Sequence, residues 1–475
     1  MRPTRKFDFK IGLSGVAFFM TATFLVAAQG AVSPFALAEP SSLEGAVTLA
    51  ASPVSDIAAS GDVRTPPAIA ALKPLTLVQA RQMAFERNWD LLAAAAGVDA
   101  ATAQKIVAHE FPNPSLAMST TKINVDGTPS STPAGNGFWD RSYDTIFAIN
   151  QLFEIGGKRR SRQISAQAGY EVAKAQFLDA KRTLELAVTK AYVGASQAEE
   201  NVQVLKQSAA TLRQEAQLAE VRLRAGEISS SDKSQIEIAA ERFELDAQTA
   251  QSSANQSRVA LEVLLGLPHP DGKVVLGDGL TNLLAELPPA ISNGAVVWRP
   301  DVVAAEAALR KSSADLRLQK ANRIPDPTVL AQYEHEPPDN PNSIGLGVSF
   351  PLPLWNHNHG NILAAEAVRE QAQIAFEKTK AQALADVATA GLSYQDAARR
   401  WRQYRDSIRP KSEEIRKTIA YAYQKGGASL LDLLSTQRND NDVRLAAAQA
   451  QSDLIVAAAA LQAATTEIKP SQLKK

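Results

Sequence analysis

The chain has 475 residues, 50 basic side chains balanced by 50 acidic ones, and no cysteine. A formal charge of zero leaves no basic footprint for nucleic acid, and the lack of cysteine removes disulfides, thiolate metal centres, cysteine nucleophiles and lipid attachment through cysteine. Aromatics are only 6% of residues and much of the apolar share is Ala, which suits closely approaching helices better than a thick globular core.

The N-terminus reads as a targeting segment. Arg2, Arg5, Lys6 and Lys10 precede an uncharged, mostly apolar run from Ile11 to Ala28. Ala36-Leu37-Ala38 before Glu39 offers a small-residue cleavage site, so residues 1–38 fit a cleaved signal peptide. The alternative is a membrane anchor of roughly 18 residues, just long enough to span. Residues 39–74 are rich in Ala, Ser and Pro without sustained period, which predicts a flexible leader. Thr76 is a helix N-cap candidate, and one helix is expected from there to about His109, stopped by Pro112 and Pro114.

Strand signals follow. Leu116 and Met118 alternate with small or polar residues, and after a loop at Asp126 to Gly137 so do Thr145, Phe147 and Ile149. Such short hairpins fit membrane-spanning strands and ordinary soluble hairpins equally. Phe138, Trp139 and Tyr143 at the loop end, and Phe153 at the other, stand where interfacial aromatic girdles form. Gly156-Gly157-Lys158-Arg159 lacks the spacing and the Ser or Thr of a phosphate loop and reads as a flexible strand-to-helix hinge. From Lys158 to Arg224 the pattern is helical without Pro, about 67 residues or ~100 Å of coiled-coil-like helix. Gly226 ends it, and Ser231 to Leu265 returns antiparallel.

The plan then repeats. Ile324-Pro325-Asp326-Pro327 answers Phe111-Pro112-Asn113-Pro114. Val329, Ala331 and Tyr333, then Ile344, Leu346, Val348 and Phe350, form a second alternating hairpin with Trp355 at its end. A helix is expected over Asn361 to Gln424, a turn at Gly426-Gly427, and a return over Leu430 to Glu467. The tip glycines stand 200 residues apart (426 − 226), and each has an Asp six residues on, Asp232 and Asp432. We divide the chain into the leader segments above, a first repeat at 75–267, a linker at 268–290, a second repeat at 291–467 and a tail at 468–475.

Four strands cannot close a barrel, and open edges in lipid cost several kcal/mol per unpaired group. If the strands cross a membrane, several copies must pool them. Three copies give a 12-stranded barrel above a helical tube. Asp432 and Asp232 would then form carboxylate rings near the tube mouth that favour cations. Alternatively, each simply caps a helix start. Tyr423 can donate across the tip, with Asp232 as acceptor. His357 and His359 supply at most two metal ligands, and a polar turn is the simpler reading. His335 and Glu336 are a weaker cation candidate at the exit. No catalytic constellation appears, so no enzyme activity and no cofactor are expected.

Taken in order, Pro112-Asn113-Pro114, Gln151-Leu152-Phe153, Leu223-Arg224-Ala225-Gly226-Glu227-Ile228-Ser229, Pro325-Asp326-Pro327 and Leu430-Leu431-Asp432-Leu433-Leu434 before Gln437-Arg438 resemble the outer-membrane efflux channel (TolC) family across both repeats. The resemblance implies a mainly α fold with a membrane β-barrel, closed as a homotrimer of four strands per chain, over a periplasmic α-helical barrel. It implies a passive exit duct in the outer membrane, docked to a periplasmic adaptor (membrane fusion) protein and an inner-membrane RND pump. The family's tip aspartate falls on Asp432, its tip tyrosine and partner on Tyr423 and Asp232, and the docking turns on Gly226, Glu227, Gly426 and Gly427. Ser435 stands where family tips often carry a second acid, which implies weaker cation selection. Phe350-Pro351-Leu352-Pro353-Leu354-Trp355-Asn356 through Gly360-Asn361-Ile362 is most similar to the heavy-metal branch. A duct for drugs or other small organic molecules, and a soluble periplasmic coiled-coil scaffold or adaptor, are the alternatives.

Overall fold

The computed structural model describes residues 74–123, 144–285, 298–337 and 340–468. The signal segment, the leader up to residue 73, the first outer loop with Phe138, Trp139 and Tyr143, and residues 469–475 of the tail lie outside the described residues.

Two helices precede the first hairpin instead of the one expected. α1 (Leu77–Arg87) starts at Thr76, whose hydroxyl accepts from Gln79 N while the Gln79 side chain accepts from Thr76 N. It stops at Asn88, an extended residue whose side chain caps α2 (Trp89–His109) by accepting from Leu91 N. Tertiary contacts hold the break. Asn88 Nδ2 donates to the Leu264 carbonyl at 3.0 Å. Gly266, at φ +72°, lies so close that a Cβ there would sit 2.3 Å from the Arg87 carbonyl oxygen.

The four strands form one antiparallel sheet in the order β1 (Ser115–Thr121), β2 (Asp144–Leu152), β3 (Thr328–Glu336), β4 (Asn340–Ser349). The register aligns Leu116 with Ile149, Ile149 with Ala331 and Ala331 with Leu346; one step along, it aligns Met118, Phe147, Tyr333 and Ile344. This puts an apolar row from each of the four strands on one face, while Ile146, Ala148 and Leu330 fall on the other. The face with the four rows is uncovered, with Ile344 and Leu346 each 83% exposed. The other face carries Ser115, Ser119, Asn150, Gln332 and Glu334. Gly345 leaves room there for Gln332, whose Cγ would stand 2.9 Å from an added Cβ. A soluble hairpin would bury its apolar face, and this sheet does the reverse.

α3 (Lys158–Arg224) runs 67 residues unbroken, as its Pro-free pattern predicts, and α4 (Ser230–Leu264) returns along it. The segment between the repeats is no loose tether. The buried Glu262 carboxylate accepts from the backbone of Asp271, Gly272 and Val274 at 2.7–3.0 Å. Val274 and the short α5 (Leu280–Ala285) join Leu75, Ala80, Ala84, Val188, Tyr192 and Leu261 in the largest apolar cluster. Tyr192 ties this belt together by donating to the Leu75 carbonyl at 2.7 Å and accepting from Asp278 N at 3.0 Å. Burial pushes its hydroxyl pKa up to about 12.

The second copy continues with α6 (Pro300–Ala321), the β3–β4 hairpin and α7 (His359–Gln403). The unbroken helix expected over Asn361 to Gln424 is not found. A π turn at Tyr404–Ile408 separates α7 from α8 (Arg409–Gln424). Pro410 supplies the reason, since it has no N–H and its ring crowds the carbonyl four residues back. α9 (Leu430–Ala464) returns.

Candidate functional site

The two tips are built by the same backbone device. Gly226 and Gly426 both stand at φ +77°. At the first tip Gly226 N donates to Leu223 O at 3.0 Å and Glu227 N to Arg222 O at 2.9 Å; at the second, Gly426 N donates to Tyr423 O at 3.1 Å and Gly427 N to Ala422 O at 2.8 Å. These paired bonds are the Schellman ending, whose left-handed residue favours Gly. Gly427 occupies the position of Glu227, where φ is not positive, so only one glycine per tip is required.

Each return helix opens with a reciprocal cap. Ser229 Oγ accepts from Asp232 N at 3.0 Å while Asp232 Oδ2 accepts from Ser229 N at 3.3 Å. Ser429 Oγ and Asp432 do the same at 3.1 Å in each direction, and the Ser429 hydroxyl also donates to Asp432 Oδ2 at 2.7 Å. Within one protomer, both aspartates therefore act as caps. The added hydroxyl bond holds the exposed Asp432 carboxyl below its ordinary pKa, with the Ser429 backbone N–H assisting. Ser435 donates to the Asp432 carbonyl and adds no charge.

Tyr423 is brought to Arg222, not bonded to Asp232. The Arg222 guanidinium lies 5.5 Å from the Tyr423 ring centroid and donates to the Gln424 carbonyl at 3.1 Å. Burial raises the Tyr423 hydroxyl pKa, and the Arg222 charge opposes that rise. Arg222, in the last turn of α3, is thus a side chain that joins the first tip to the second, beside Leu430, which packs against the first hairpin's Ala216, Ala219 and Ile236. The position of Arg222 in that turn, where basic residues suit the carbonyl end of a helix, was a usable sequence signal.

Behind the second tip lies a buried charge cluster that motif reading misses. Asp440 is 2% exposed. Its Oδ1 accepts from Ser412 at 3.0 Å, and its Oδ2 lies 3.1 Å from Arg416 Nε and 2.9 Å from Arg444 Nε. Neither arginine N–H is aimed at that oxygen, so the contacts are ion pairs and not directed hydrogen bonds.

The junction of strands and stem is pinned, which corrects the expectation of a flexible hinge at 156–159. Lys158 is buried, donates to the Ile324 carbonyl at 2.6 Å and pairs with Asp326 at 2.8 Å. Asp326 in turn accepts from Ile155 N at 2.9 Å. Two glycines at φ +71° and +77° make the turn, and charge from the second repeat's Pro-Asp-Pro motif locks it. In the second copy Asn358, at φ +59°, takes the turn and donates to the Gln319 carbonyl at 2.7 Å. His357 and His359 flank it, both exposed. No group of three or more metal-ligating side chains occurs among the described residues. His335 is buried on β3, opposite Thr145.

The chain is 26% identical over 365 residues to the cobalt-zinc-cadmium resistance protein CzcC of Cupriavidus metallidurans, covering 77% of this chain and 84% of that protein. It is 25% identical over 416 residues to the pyoverdine export outer membrane protein OpmQ of Pseudomonas putida, covering 80% and 84%. The solved structure of CusC superposes with a TM-score of 0.70 at 18% identity, over 82% of this chain and 92% of that one, a likeness of fold. The family model described as outer membrane efflux protein matches residues 80–267 and 292–467. With tips, caps and strand hairpins laid out twice within those spans, the chain belongs to the outer membrane efflux protein family, with its sheet in the outer membrane and its helical stem in the periplasm.

Proposed function

We propose that three copies of this chain form a passive outer-membrane duct that releases heavy-metal cations delivered by a periplasmic adaptor and an inner-membrane RND pump. The observation that carries the assembly is the sheet. It has four strands, two open edges and an exposed apolar face. Lipid tolerates such a sheet only when its edges are paired, and twelve strands from three copies pair them all. The helices support the same reading. α2 buries only Leu91 and Ala108 although it is apolar enough to span a membrane by length and composition. α7 leaves Leu363, Val368, Ile374, Leu384 and Leu392 exposed. These faces need neighbours, and identical subunits supply them.

The cargo reading rests on kinship to CzcC, by name a cobalt-zinc-cadmium resistance protein. In the trimer Asp432, and with it Asp232, ring the stem mouth and raise the local cation concentration, while Tyr423 and Arg222 hold the tips together. Capping and ring duty are compatible, because a cap uses one carboxylate oxygen and leaves the charge in place. The turns at Gly226, Glu227, Gly426 and Gly427 are the docking surface for adaptor and pump. Similarity to OpmQ, named for pyoverdine export, favours small organic cargo as the second reading.

Deleting the gene and testing growth on zinc, cobalt, cadmium and organic toxicants separates the two. Heightened metal sensitivity is the expected result, and sensitivity to organics alone overturns the cargo assignment. Native mass measurement of the detergent-extracted protein is expected to give a trimer, and a stable monomer overturns the assembly.

A further inference from the structure

We propose that residues 350–355 form a lipid anchor in the periplasm-side interface of the outer membrane, completing an apolar band that the paired strands leave short. The exposed apolar row of β4 does not end with the strand. Ile344, Leu346 and Val348 are followed, in the same alternation, by Phe350, Leu352 and Leu354, all between 57% and 83% exposed, and then by Trp355 at 92%. Yet the last ladder pair is Thr328 with Ser349. A strand tilted by about 45° needs roughly 9–11 residues to cross the hydrocarbon. The row on paired β4 covers only 344 to 348, whereas 344 to 354 reaches that span.

Unpaired backbone in lipid is costly, and this segment has few free donors. Pro351 and Pro353 carry no N–H, and Leu354 N donates to the Leu352 carbonyl at 2.9 Å, closing a tight turn. The segment is also held at both ends, by the β3–β4 ladder before it and by Asn358 on the Gln319 carbonyl after it. Neighbouring groups at the same end of the sheet suit a membrane boundary. Phe111 and Phe153 are exposed, and the Arg159 guanidinium lies 3.8 Å from the Phe111 ring centroid, an aromatic and a cation at headgroup depth. Barrel closure uses the edges of the sheet and leaves its faces free, so lipid and not a second copy is the occupant continuous with the β4 row.

The anchor rests on the reading of the sheet as a membrane barrel, and the test separates the two. The full chain has five tryptophans. A variant with Trp89, Trp139, Trp298 and Trp401 changed to Phe keeps Trp355 alone. A companion with Trp355→Phe as well and Leu346→Trp reports on the paired strand. Both are reconstituted into phosphatidylcholine vesicles with brominated acyl chains. The anchor predicts that Trp355 emission is blue-shifted and largely lost to bromine placed near the carbonyl end of the chain, with little loss to aqueous iodide. Quenching at position 346 but not at 355, with 355 open to iodide, overturns the anchor and leaves the barrel standing. Trp355 shielded from both quenchers means that a neighbouring subunit covers it, which also overturns the anchor. Failure of bromine to quench either position overturns barrel and anchor together.

Discussion

The two helical hairpins share a tip and differ in what is buried behind it. In the first, Leu212, Ala216 and Ala240 are buried in apolar clusters with Ile236, Ala239 and Phe243. Two hundred residues on, the same positions hold Ser412, Arg416 and Asp440, the buried charge cluster. The descending limbs differ too: α3 is unbroken, while α7 and α8 are divided by the π turn. Duplication kept the backbone geometry of the tip and changed the interior. Apolar packing tolerates small adjustments. A buried carboxylate between two arginines has either its partners or a large desolvation cost. We therefore expect the second hairpin to be the element that moves when the stem opens, pivoting at the π turn.

The largest test breaks the charged interior. Asp440→Ala leaves Arg416 and Arg444 without their shared partner and is expected to cost about 3 kcal/mol, read by urea unfolding of the detergent-extracted protein. Installing the first copy's residues together, as Ser412→Leu, Arg416→Ala and Asp440→Ala, is expected to recover that loss and to reduce tip opening in bilayer recordings. A single Asp440→Ala variant as stable as the parent removes the contrast between the hairpins.

Next in size are the tip glycines, where the copies should behave alike. Gly226→Ala and Gly426→Ala each force a side chain into the left-handed region at a cost of about 1 kcal/mol. Gly427→Ala should cost under about 0.5 kcal/mol, as an ordinary surface change does. Unequal losses at 226 and 426 in the same unfolding assay would mean that the tips are less equivalent than their backbones.

A smaller effect separates two partners for Tyr423. Arg222→Ala removes a cation–aromatic contact of about 0.5 kcal/mol and the bond to the Gln424 carbonyl. It should raise closed-state leak conductance more than Tyr423→Phe, which keeps the ring. The opposite ranking would restore Asp232 as the acceptor that matters.

The smallest expected effect is on pH response. Asp432 titrates below its ordinary value of 3.8 because the Ser429 hydroxyl bonds its charged form. A depressed carboxylate keeps its stabilising charge above the unfolded value and loses it as pH falls through the lower folded value. Cation selectivity, read as a reversal potential, should therefore persist in acid below 3.8 in the parent and fade at higher pH in Ser429→Ala.

Much of the fold was legible because it rests on local rules. The Pro-free heptads of α3 set its ends to the residue, period-two alternation located all four strands, and the Gly turns with an Asp six residues on marked both tips. Three features were not read. Asn88 carries an N-cap and Pro410 a helix-breaking ring, but each sat inside a longer helical pattern that overrode it. The Asp440 cluster joins α8 to α9 across the hairpin, and no motif marks it. Comparing positions 212, 216 and 240 with their counterparts two hundred residues on would have exposed it as charge in an apolar slot.

The amino-acid sequence alone determined the duplicated plan, the helix and strand types, the positions of the two Gly turns and the family, since each depends on neighbours within a few residues or on a repeated order. Only the tertiary structure decided which face of the sheet is bare, that Lys158 and Asp326 weld the two repeats, that Arg222 bridges the tips and that Asp440 lies buried between two arginines. Those outcomes depend on side chains from about 30 to more than 200 residues apart meeting in space. Whether such a charge is exposed and weak or buried and decisive is set by the dielectric that the surrounding fold creates.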